Sequence, residues 1–208
     1  MKTLFFSLLL MFHAWSGTPV VSLTPAGGVS VLAVSTASST LGWKAEKPTG
    51  THTGAVKISS GELVMHCGQL YSGTVTLDMS SIIVTDLSSP DKEKLENNLR
   101  SYYFFDTGKF PEARLEITSV NHNSEKSLHF VTILANLTMH GITKQITFTA
   151  DVSKSSINDF AAEANIVVNR RDWGIATSNV MYNNLIYKDI RLYVQLKASR
   201  VGTQLTSL

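Results

Sequence analysis

Apolar and polar side chains alternate with a period of two along most of the chain. Ile190, Leu192, Val194 and Leu196 interleave with Arg191, Tyr193, Gln195 and Lys197, which predicts a strand with one wet face. Ile146, Phe148, Ala150 and Val152 follow the same rule, as do Val75, Leu77 and Met79. Residues 62–65 and 69–71 read as hairpin arms around His66-Cys67-Gly68. Leu115, Ile117 and Val120 supply a further short strand.

A helical period occurs mainly in one place. Ser89 is a candidate cap, Pro90 suits a first helical position, and Asp91 and Glu93 favour the positive end of a helix. Leu95, Leu99 and Tyr102 or Tyr103 then recur on one face, giving an amphipathic helix of about three turns. Without strand–helix alternation, many short strands separated by turns predict an antiparallel all-β sandwich or barrel. Leu128–Met139 is apolar on both faces. A barrel strand with a covered outside and a cavity inside has that pattern, and so does a central strand packed on both sides.

Near the N-terminus, Lys2 precedes an apolar run from Leu4 to Phe12, followed by Ala14-Trp15-Ser16. That order predicts an export signal at residues 1–16, and the run is too short to span a bilayer. Residues 17–28 read as a linker, 29–200 as one domain and 201–208 as a tail. Only 16% of the 208 residues are charged and the net charge is +2. No basic cluster points to nucleic acid, so no nucleic-acid partner is expected. Cys67 is the only cysteine, so no internal disulfide forms, and burial is its simplest expected fate.

Catalytic signatures such as G-x-S-x-G, H-E-x-x-H and phosphate loops are missing. Ser89-Pro90-Asp91-Lys92 has S-x-x-K spacing, but its companion motifs are absent and a helix start accounts for it. His66, His122, His129 and His140 are scattered without metal-ligand spacing. No enzyme activity, metal or cofactor is therefore expected. The aromatic residues Trp43, Phe104, Phe105, Phe110, Phe130, Phe148 and Trp173 remain as core side chains that can also line a tunnel.

Several segments, in order, resemble the YceI-like family. They include Ser39-Thr40-Leu41-Gly42-Trp43, Gly50-Thr51-His52-Thr53-Gly54, Asp78-Met79-Ser80-Ser81-Ile82 and Lys94 to Ser101. They continue through Phe104-Phe105-Asp106, Phe110-Pro111-Glu112-Ala113, Leu137-Thr138-Met139-His140-Gly141 and Arg170-Arg171-Asp172-Trp173-Gly174. The likeness covers residues 29–198, although the family often has His where Asn98 stands. The resemblance implies a lipocalin-like antiparallel barrel of about eight strands, wide enough for one ligand. It implies a long apolar passenger: a polyisoprenoid, quinone or fatty-acid-like molecule. His52 lies inside a family-like segment and is the candidate contact for a head group, with the seven aromatics above as the candidate wall. The alternative is a non-catalytic stress-associated or interaction protein using the barrel as a scaffold. Homodimers and a periplasmic or secreted location are further expectations of the family.

Overall fold

The structure, a computed structural model, describes residues 28–122, 129–177 and 187–200. The expected export signal, almost all of the linker, and the tail lie outside the described residues. The strands are β1 (Val29–Val34), β2 (Thr40–Lys47), β3 (Gly50–His66), β4 (Gln69–Val84), β5 (Glu112–His122), β6 (Phe130–Met139), β7 (Ile142–Ser155), β8 (Asp159–Asn169) and β9 (Asp189–Ser199). Among the described residues one α-helix, α1 (Asp91–Arg100), follows β4, and a 3-10 turn (Arg170–Trp173) follows β8.

The strands form a closed antiparallel barrel, running from β2 through β3 to β9 and back to β2. Eight staves make the ring, and β1 shares the stave of β2. β2 pairs with β3 over Gly50–Val56 and with β9 over Ile190–Gln195. β1 takes over at the other end, against Glu62–His66 of β3 and Ala198–Ser199 of β9. Between them the chain leaves the wall, and the buried Ser39 hydroxyl serves both backbone groups of Lys197. It accepts from the Lys197 amide at 3.0 Å and donates to its carbonyl at 3.2 Å. A side chain here replaces a ladder that two strand ends cannot complete.

The long β3–β4 hairpin bends around the barrel at register shifts near Ala55–Lys57, Ile58–Ser60 and Val64–Met65, where bulges sharpen strand curvature. A shift between Ile117 and Ser119 explains why the β5 alternation breaks at that point. The inward residues form two clusters. One, including Leu32, Leu63, Met65 and Phe160, fills the end nearest the β3–β4 turn. The other, including Trp43, Met79, Leu99 and Trp173, lies at the α1 end.

Four expectations need correction. Cys67 is exposed rather than buried, because it occupies a two-residue hairpin turn between the paired His66 and Gln69. Cys67 and Gly68 both have positive φ, 50° and 78°, as a type I′ turn requires. At α1 the N-cap is Pro90, and the Ser89 hydroxyl instead donates to Glu93 at 2.7 Å. The helix ends at Arg100, leaving Tyr102 and Tyr103 exposed beyond it. Finally, β6 is buried on one face only: Val131, Ile133, Ala135 and Leu137 point inward, while Phe130 is 45% exposed.

Candidate functional site

A cavity of about 280 Å³ occupies the α1 end of the barrel, close to the lower limit of ~300–1,000 Å³ for small-molecule sites. Leu41, Trp43 and Ala45 of β2 face it, as do Val56 of β3, Met79 of β4, Ile190 and Leu192 of β9. Leu95 and Leu99 of α1 and Phe104 and Phe105 after it complete the apolar wall. A smaller chamber of about 90 Å³ lies towards the barrel middle, with Phe148 and Ile58 among its lining. Leu41, Leu77, Leu137 and Leu192 line both spaces.

Unsatisfied strand edges explain why α1 stays over the cavity. β4 pairs with β5 only through Asp78, so the β5-facing groups at Ser80, Ile82 and Val84 need other partners. Glu96 accepts the Val84 amide at 2.9 Å, and Arg100 donates to the carbonyls of Ile82 at 2.6 Å and Ser80 at 3.1 Å. Two side chains one helical turn apart thus replace a missing strand.

Polar groups gather at the mouth. Glu46, Lys47, His52, Asn98 and Arg170 reach the cavity lining. His52 Nδ1 lies 2.8 Å from Asp86, whose other oxygen accepts the Thr53 amide at 2.8 Å. Burial raises the Asp86 carboxyl, but the Thr53 amide and His52 outweigh it and hold it below its ordinary value. Arg170 is only 2% exposed and donates to the carbonyls of Ile175 at 2.7 Å and Tyr187 at 3.3 Å. Burial, then neighbouring Arg171, push its pKa down.

Of the eight residues singled out in the sequence, Trp43, His52, Phe104 and Phe105 meet at this cavity. Phe148 lines the inner chamber. Trp173 stands behind the wall, 1% exposed, with its Nε1 donating to the Leu137 carbonyl at 3.1 Å. Phe110 packs outside the cavity, edge-on to the His140 ring at 4.9 Å. Its ring covers Gly141, where a Cβ would come within 2.6 Å of it. Phe130 lies on the outer surface and away from both chambers. Asp86 and Arg170 were not anticipated as site residues; the in-facing alternation Ile166, Val168, Arg170 is the signal that points to the second.

The sequence model of the YceI-like domain matches residues 32–198, nearly the whole barrel. The chain belongs to the YceI-like family. Among curated relatives, a UPF0312 protein of Yersinia enterocolitica is 27% identical over 51% of this chain and 60% of its own length. A UPF0312 protein of Pseudomonas putida is 32% identical over 38% of this chain and 43% of its own. The chain therefore spans less than two thirds of these relatives. Burkholderia cenocepacia BcnA has a similar fold, with TM-score 0.67 at 14% identity over 80% of this chain and 99% of that one. A polyisoprenoid-binding domain from Saccharophagus degradans gives TM-score 0.61 at 14% identity, covering 83% and 99%. At these identities the likeness establishes the fold shared by YceI-like barrels.

Proposed function

We propose that this YceI-like protein is an exported, non-catalytic lipid binder that takes an apolar chain into the α1 end of its barrel. The observation that carries this reading is the cavity itself: one end of the barrel walled by Leu, Ile, Val, Met, Ala, Trp and Phe, with polar groups confined to a few positions. Burying an apolar chain gains about 0.8 kcal/mol per methylene, so tight binding needs few polar contacts. An isoprenoid, a quinone tail and a fatty acyl chain all meet that requirement. The fold shared with a polyisoprenoid-binding domain supports the same reading. Export rests on the apolar run Leu4–Phe12 between Lys2 and Ala14-Trp15-Ser16.

Native mass spectrometry of protein taken directly from cells tests the proposal, followed by solvent extraction. A mass excess that solvent releases is the expected result. Ligand-free protein that also refuses a fluorescent alkyl probe would overturn the reading. Cell fractionation with N-terminal sequencing tests export, with a mature chain starting at Gly17 as the expected product.

A further inference from the structure

Resting on that lipid-binding reading, we propose that the ligand is an anionic amphiphile, its acidic head group held by a basic collar at the cavity mouth. The collar follows from the inward alternation. Along β2 the lining residues run Leu41, Trp43, Ala45, Glu46 and Lys47; Val168 of β8 is followed, just past the strand end, by Arg170. At both strand ends the next inward position beyond the apolar wall is a cation. Hydrogen bonds to the Ile175 and Tyr187 carbonyls fix the Arg170 guanidinium in place.

The same rim is basic on its outer side. A pocket of about 260 Å³ is lined by Lys44, Lys188 and Arg191 together with Tyr187, Glu46 and Asp189. Glu46 borders both this pocket and the cavity. The two linings together hold five cations and two carboxylates, and one of those, Glu46, is already engaged by Lys44 at 2.9 Å. The nearby Asp86 carboxylate is taken up by His52 and the Thr53 amide. The excess is local, because the whole chain carries only +2.

A carboxylate or phosphate monoester on an alkyl chain matches both halves of this arrangement. Its tail fills the apolar wall, while its head gains charge-assisted hydrogen bonds that a neutral quinone or alcohol lacks.

Displacement of a fluorescent alkyl probe by decanoate, decyl phosphate, decanol and inorganic phosphate tests the proposal on the intact protein. The two anionic amphiphiles are expected to bind about tenfold more tightly than decanol. That preference should shrink with added salt and fall towards unity in the double variant Lys47→Gln/Lys188→Gln. Equal affinity for decanol and decanoate in the unaltered protein overturns the head-group inference while leaving lipid binding intact. Inorganic phosphate binding as tightly as decyl phosphate also overturns it, since the tail would then contribute nothing. Should none of the three decyl compounds displace the probe, lipid binding itself falls and this inference with it.

Discussion

The Glu96 carboxylate accepts the backbone amide of Val84 at 2.9 Å, joining α1 to the C-terminal stretch of β4 that β5 leaves unpaired. Both groups are buried, so losing the acceptor strands an amide away from water. Glu96→Ala is expected to cost about 2–3 kcal/mol and to loosen the wall formed by Leu95 and Leu99. Urea unfolding measures the first effect. Faster hydrogen exchange confined to α1 and residues 80–84 reports the second.

Asp86 makes the fold sensitive to acid. Its carboxyl titrates below its ordinary value in the folded protein, so the unfolded chain binds the proton more readily. The stabilisation is complete above the unfolded value of about 3.9 and disappears as pH falls through the lower folded value. Asp86→Asn should therefore lower stability by about 1 kcal/mol at neutral pH. Melts of the two proteins should converge under strongly acidic conditions; a constant gap would contradict the assignment.

Trp43 and Trp173 differ in one respect that mutation can read. Trp173 Nε1 donates to Leu137, whereas Trp43 Nε1 is buried without a hydrogen-bond partner among the described residues. An unsatisfied buried donor costs stability, while breaking a satisfied bond orphans its acceptor. Trp173→Phe is expected to destabilise by about 1–3 kcal/mol more than Trp43→Phe. In Trp173→Phe, quenching of Trp43 fluorescence should track alkyl-probe binding, since Trp43 lines the cavity.

Leu192 borders both chambers. Leu192→Ala should merge them and shift preference towards longer alkyl chains, at a cost of about 2–3 kcal/mol. Displacement assays over a chain-length series check this, and an unchanged length optimum would show that the two spaces do not communicate.

Cys67 holds φ at 50° in a turn position that suits Asn or Gly. Cys67→Asn is expected to raise stability by about 0.5–1 kcal/mol, measured by thermal melting. In the unaltered protein a maleimide should label the exposed thiol without prior unfolding.

Much of the barrel was legible because alternation is a local property. The in-facing residues of β4, β7 and β9 follow from Val75 to Met79, Ile146 to Val152 and Ile190 to Leu196 alone. Where the pattern broke at Ser119, a register shift was waiting. The site was legible only in part. Trp43, Phe104 and Phe105 converge, but Phe130 faces outward and Phe110 closes over Gly141, because aromatic character does not reveal which side of a wall a residue takes.

By itself the sequence determined the strand faces, the helix and the scarcity of charge, since each depends on neighbours a few residues apart. Only the tertiary structure decided that β1 and β2 share one stave, and that Glu96 and Arg100 serve the free edge of β4. It alone brought Lys47 and Arg170, far apart in the chain, to one cavity mouth. Those relationships depend on barrel closure, which pairs positions more than a hundred residues apart and leaves no mark in any local stretch of sequence.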